Sequence, residues 1–383
     1  VRLQLNHNED LTLKPFIKFA LLAIAATALQ TPVWAQIKIG QTAGYSGAAA
    51  SSVKETVAGA HLYLDHINAQ GGINGQKIEL VSLDDKFDPA LAAENAKKLI
   101  ADSKVMALFL TRGTPHTEAI MPLLSTAGIT LIAPSTGAMS LHSPVHPWVF
   151  NVRATYQREA EHLTRHLSVP GAHTVAVIQV NDSFGADVAP GVLKVFKELG
   201  KEPAAYELFD RKNPDFTAIA TKVAAAKPLS VIFIGTGSTV AEGVKALRAA
   251  GSKATIATLS NNASSGFIKQ MGENAANMIV SQVFPSPRSY KVAMAAEASQ
   301  LAERKKIAEV TPQMLEGFAA AKVLVAALKR CGNDISRSNI KKALETFNKV
   351  DIGGLEVSFS PTDHTGLRFS ELSIVSAEGV FRR

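Results

Sequence analysis

The sequence predicts an α/β protein built from two doubly wound units with parallel sheets. Short β-rich runs alternate with helical ones along most of the chain, first from Ile37 to Ala133 and again from Val175 to Phe284. The segments just after these runs are short, small and polar, as they are where open α/β sheets bind ligands. The 383 residues are 46% hydrophobic and 19% charged, enough for two domains of about 100–200 residues and too apolar for a disordered chain.

Ile37-Lys38-Ile39-Gly40 opens the first series as a strand. Val53, Val57, Ala60, Leu64 and Ile67 follow at spacings of 4, 3, 4 and 3, the buried stripe of a helix that Gly71-Gly72 ends. Lys77 to Leu83 is the next strand. Asp88-Pro89 then reads as N-cap and first helical position, with Leu91, Ala92, Ala96 and Leu99 turned inward. The cycle repeats through Val105 to Leu110, Pro115 to Ala127 and Ile129 to Ala133. A second series starts after Phe150-Asn151-Val152-Arg153, with strands at Val175–Val180, Ser230–Ile234, Thr255–Leu259 and Met278–Phe284. A helical stretch from about Tyr290 to Phe347 and a β-rich tail, Leu355–Phe359 and Phe369–Val375, complete the chain.

Lys14 and Lys18 precede Phe19 to Leu29, an almost wholly apolar run of about 11 residues, too short for the roughly 20 that a membrane-spanning helix needs. Val33-Trp34-Ala35 sets small residues at the two positions a signal peptidase reads, so residues 1–35 are expected to be an export signal cut after Ala35. Gln36 and not Cys stands directly after that cut, which argues against a lipid anchor and for a freely soluble exported protein. The lone Cys331 excludes an intramolecular disulfide framework and a multi-Cys metal site. Net charge is +7, but the basic residues are spread out and not interleaved with aromatics, so a nucleic-acid partner is not expected.

Enzyme motifs do not hold up. Gly235-x-Gly237 after an apolar run imitates a dinucleotide fingerprint, yet Val240 stands at the third Gly position. Glu159, His162 and His166 share a helix face that could bind a metal, but no further ligand is identifiable and a solvated face is the better reading. His142 and His146 lie in a Pro-rich stretch that reads as a surface turn. Asp84 and Asp85 at a strand end point to opposite faces, which favours structural or capping roles over an acid/base pair. No G-x-S-x-G elbow, H-E-x-x-H or Walker loop occurs.

Several stretches then carry a resemblance over nearly all of the chain after residue 35: Ile37 to Gly40 with Ser46-Gly47, Ile67 to Leu80, Asp84-Asp85 with Asp88-Pro89, Gly128 to Thr136, Asn181 to Gly185, Asp215-Phe216, and Phe359-Ser360-Pro361 to Gly366. In order and spacing the sequence resembles the periplasmic solute-binding proteins of ABC transporters, type I fold, in the branched-chain amino-acid (Leu/Ile/Val) binding group. The resemblance implies two lobes joined by a three-crossing hinge near Val152, Phe284 and Phe359. One lobe would comprise residues 36–152 plus 285–358, the other 153–284 plus 359–383. A ligand would be held between them. Carried onto this sequence, its contacts are Ser52, Thr111, Arg112, Gly113, Thr114, Ser135, Thr136 and Gly137 from the first lobe, and Asp182, Phe184, Thr236, Ser260 and Asn261 from the second. Hydroxyls and backbone N–H groups in the first-lobe loops would meet a ligand carboxylate, as helix N-termini suit an anion.

Three departures bear on the ligand. The acid that usually meets an ammonium falls at Ser260, the hydroxyl after Pro-x-x at Gly137, and the aromatic of the third loop at Gly237. An unpaired buried ammonium is costly, so a zwitterionic amino acid is harder to explain here. Arg112 adds a guanidinium to the loop where a carboxylate would arrive, unless it lies exposed on the rim. The expected protein is a monomeric, non-catalytic, cofactor-free receptor that captures a small amino-acid-like or carboxylate-bearing ligand and presents it to a membrane permease. An exported α/β enzyme would need a catalytic dyad in the cleft, and a sensory domain a tethering membrane helix.

Overall fold

The computed structural model describes residues 36–101, 105–168 and 174–382; the expected export signal lies outside the described residues. From Gln36 onward the chain is one compact unit. Its first half alternates β1 (Ile37–Ala43), α1 (Ala50–Ala69), β2 (Ile78–Asp84), α2 (Pro89–Ala101), β3 (Val105–Phe109), α3 (Thr114–Ala127), β4 (Thr130–Ile132), a 3₁₀ turn (Met139–Leu141) and β5 (Val149–Phe150). These strands form a parallel sheet in the order β2-β1-β3-β4-β5. The central strands are buried on both faces by the helices that join them, which is why they read as continuous apolar runs. As expected, Asp88 caps α2 through the N–H groups of Ala90 and Leu91, with Pro89 at its first position.

The second half runs α4 (Tyr156–Leu167), β6 (Val175–Val180), α5 (Ser183–Glu198), β7 (Tyr206–Phe209), α6 (Phe216–Ala225), β8 (Ser230–Ile234), α7 (Gly237–Ala249), β9 (Thr255–Thr258), α8 (Ser265–Met271) and β10 (Ile279–Gln282). Its sheet has the order β12-β11-β10-β9-β8-β6-β7, in which β11 (Glu371–Val375) and β12 (Phe381–Arg382) are antiparallel additions from the C-terminal tail. Edge strand β7 is only half-buried and has no apolar run to announce it.

The long helical stretch divides into α9 (Ala293–Arg304), α10 (Pro312–Arg330) and α11 (Arg337–Glu345). Although these follow the second sheet in sequence, Met294, Phe318, Leu324, Leu344 and Phe347 join the core of the first sheet with Ile39, Phe109 and Phe150. A separate core unites Tyr156, Val177, Phe196, Phe233, Val244 and Val280 around the second sheet. The chain therefore passes between the two layers after Phe150, after Gln282 and before Glu371. Helices α1 and α10 cross at Gly59 and Gly317, where a Cβ would sit 1.8 Å from Met314 O or 1.7 Å from Thr56 O. That close crossing fixes α10 beside the strand ends of the first sheet, and with it Gln313 and Glu316.

Candidate functional site

Arg112 follows β3 at the carboxyl end of the first sheet, in the loop that leads into α3. The alternative of an exposed rim position is overturned: Arg112 is 4% exposed. Its Nη1 donates to Ser135 Oγ at 2.7 Å, and its Nη2 to Ser52 Oγ at 3.1 Å and to the backbone oxygen of Asn261 at 2.6 Å. Asn261 belongs to the loop after β9, so this contact joins the ends of both sheets. Every one of those acceptors is neutral, and among the described residues no ion pair forms on Arg112. Burial accordingly pulls its pKa down, with only partial compensation from Tyr156 and Glu316.

Beside Arg112 lies a narrow cavity. Arg112, Gly113, Thr114 and Pro115 line it from the first sheet's loops, and Phe184, Arg211, Thr236 and Asn261 from the second's, with Phe87 and Tyr156 completing the wall. Phe87 stacks on His116 with ring centroids 4.2 Å apart, and the Arg211 guanidinium lies 5.4 Å from the Phe87 centroid. Tyr156 meets Phe184 edge-on at 4.9 Å. Arg211 is already balanced: its Nε donates to Asp182 at 2.6 Å. Asn261 Oδ1, by contrast, is buried without a hydrogen-bond partner.

Behind the cavity runs a buried charge network. Arg153, in the segment that leaves the first sheet, donates to Glu159 on α4 and lies 3.5 Å from Glu316 on α10. It also donates to Ser260 Oγ at 2.7 Å. Glu159 Oε2 accepts from Ser260 N at 3.0 Å and from Ser281 Oγ. Glu316 accepts from Ser135 Oγ and Gln313 Nε2, both at 2.7 Å. The two carboxylates outweigh desolvation and hold the Arg153 pKa above its ordinary value.

The residues 36–373 match the family model for periplasmic binding proteins. The chain belongs to that family. A curated relative, an amino acid binding protein of Pseudomonas aeruginosa, is 29% identical over 58% of this chain and 60% of its own length; a second from that organism is matched over 58% of its length. The Leu/Ile/Val-binding protein homolog 3 of Brucella melitensis is 24% identical over 89% of this chain and 92% of its own. Among solved structures, a substrate-binding periplasmic protein of Ralstonia solanacearum superposes with a TM-score of 0.83 at 28% identity, covering 90% of this chain and 99% of that one. An extracellular ligand-binding receptor of Verminephrobacter eiseniae gives 0.82 at 27% identity over 91% and 100%. The two-sheet, type I architecture is thus that of the periplasmic binding proteins.

In this periplasmic binding protein the expected contacts separate into two groups. Arg112, Gly113, Thr114, Phe184, Thr236 and Asn261 line the cavity, and Ser52 and Ser135 hold Arg112. The others are not among its lining residues: Thr111 bonds Thr117, Thr136 bonds Thr114, and Asp182 caps α5 while holding Arg211. Ser260 faces the Arg153 network. Gly137 abuts the Ala154 oxygen and Tyr156 N–H, where a Cβ would come within 2.7 Å, so a hydroxyl-bearing side chain has no room there.

Two other expectations are corrected. Glu159 is fully buried and paired with Arg153, so only His162 and His166 form the solvated face; among the described residues no metal-binding cluster forms. His142 is buried against Thr365 instead of lying on a surface turn, and burial pushes its pKa down to about 4. Asp84 and Asp85 do take structural roles, holding Ser46 and Lys86 N–H on one side and Thr42 and Phe87 N–H on the other. Phe87, Tyr156, Arg211, Arg153 and Glu316 were not anticipated; the Arg153 position directly after the expected crossing at Val152 was the available signal for one of them.

Proposed function

We propose that this periplasmic binding protein is the exported substrate-binding component of an ABC importer. It takes a small amino-acid-like or carboxylate-bearing organic ligand between two lobes and delivers it to a membrane permease as a monomer. Residues 1–35 act as the signal, cut after Ala35. Lobe one is residues 36–152 with 285–358, lobe two 153–284 with 359–383, and the three connections act as the hinge. The observation that carries this reading is Arg112, a buried guanidinium with only neutral acceptors, set where loops of both sheets meet beside a small cavity. A ligand carboxylate supplies the missing counter-charge and makes contact with both lobes at once, which favours the closed form.

A second reading, an aliphatic α-amino acid, is favoured by the relatives named for leucine, isoleucine and valine. It needs an acceptor for the ammonium, and Glu159, Glu316 and Asp182 are each engaged elsewhere. Calorimetry with leucine, isoleucine and valine against their deaminated acids decides between the two. Binding of the deaminated acids supports an anion site without an ammonium requirement; binding of the amino acids alone rejects it.

A further inference from the structure

The cavity walls say more about the ligand than its charge. Three rings reach them from separate elements: Phe87 from the loop after β2, Tyr156 from the start of α4 and Phe184 from the first turn of α5. No Leu, Ile or Val lines the cavity, and Pro115 is the lone aliphatic ring there. Phe87 is held firmly, since its N–H donates to Asp85, its ring stacks on His116 and its backbone sits at φ +59. Flat walls fixed in this way complement a flat ligand by offset or edge-on stacking. Arg211 is balanced by Asp182, so one guanidinium remains for one carboxylate.

Asn261 supplies the last constraint. Its Nδ2 is spent on the Gly235 oxygen, and its buried Oδ1 has no donor. An orphaned buried acceptor is costly, and a ligand O–H relieves it.

Resting on the reading of Arg112 as a carboxylate partner, we infer that the ligand is an aromatic monocarboxylic acid of the benzoate class bearing a ring hydroxyl, its carboxylate on Arg112, its ring among Phe87, Tyr156 and Phe184, and its hydroxyl on Asn261 Oδ1. Titration calorimetry on the purified protein tests it with benzoate, the three monohydroxybenzoates, 3-methylbutanoate and leucine. One hydroxybenzoate is expected to bind roughly tenfold tighter than benzoate, the worth of about one hydrogen bond, and benzoate roughly tenfold tighter than 3-methylbutanoate. If 3-methylbutanoate equals benzoate, the ring assignment fails while the carboxylate reading stands. If no hydroxybenzoate exceeds benzoate, the Asn261 assignment fails. Binding of leucine alone, or of none of these acids, overturns both readings. Phe87→Leu should weaken hydroxybenzoate roughly tenfold, and by a larger factor than 3-methylbutanoate, with ligand-free melting as the check on folding; an unaltered hydroxybenzoate affinity contradicts the ring clamp.

Discussion

Arg153 pairs directly with two carboxylates and Arg112 with none, and that difference marks Arg153 as a structural cation and underlies the proposal of Arg112 as a recognition cation. Removing Arg153 strands Glu159 and Glu316 in the interior. Arg153→Met should therefore cost about 3–5 kcal/mol in urea unfolding, and a loss below 1 kcal/mol would show the network to be dispensable. Arg112→Ala has the opposite signature. It relieves an unbalanced buried charge, so ligand-free stability should change little, while affinity for the acid should fall by about 2–5 kcal/mol by calorimetry. Equal affinity in the variant would remove Arg112 from the site. Arg112 was legible in the sequence because it follows a strand in a loop that any open α/β sheet offers to a ligand. Glu316 was not: its partners Ser135 and Arg153 come from distant parts of the chain, and a carboxylate inside an apolar helix carries no local sign of its pairing.

At the scale of elements, each half of the molecule caps a helical turn of the other. Glu55 on α1 accepts from Ser265 N–H, Ser265 Oγ and Gly266 N–H at the start of α8. In return, Asp187 on α5 accepts from Met139 N–H at 2.7 Å, the start of the 3₁₀ turn after β4. Burial in that seam, with Glu118 nearby, raises the Asp187 pKa to about 6. A carboxyl whose folded pKa is raised binds its proton more tightly folded than unfolded. Its contribution to stability is therefore best below the unfolded value and is lost as pH rises through about 6. Compared with Asp187→Asn, the wild type should gain about 1 kcal/mol between pH 7.5 and pH 5.5 in chemical unfolding. Parallel pH curves for the two would place Asp187 in solvent. Strands β1, β6 and β8 and helix α1 were readable from periodicity because burial on one or both faces writes the pattern directly. The half-buried edge β7, the two-residue β5 and the breaks inside the stretch from Tyr290 to Phe347 lack such a pattern, since tertiary contacts set them.

Across the whole molecule, two sheets with separate cores meet along a seam held by polar contacts. Arg112 to Asn261, Glu55 to Ser265 and Gly266, Asp187 to Met139 and Gln313 N–H to Ala263 O all cross it. Such contacts contribute about 0.5–1.5 kcal/mol each, few and weak enough to be compatible with the proposed opening about the three connections. A ligand shifts that equilibrium only by its differential affinity, and the proposed carboxylate between Arg112 and the Asn261 loop would have full contact in the closed form alone. Small-angle scattering should therefore show a smaller radius of gyration with the bound acid than without it. Glu55→Ala, which removes a seam contact outside the cavity's lining residues, should weaken every ligand by a similar factor and leave their ranking unchanged, since it biases the hinge and not the site. Tight binding with no compaction would rule out hinge closure, and a reordered ranking in Glu55→Ala would mean that the seam and the site are not separable.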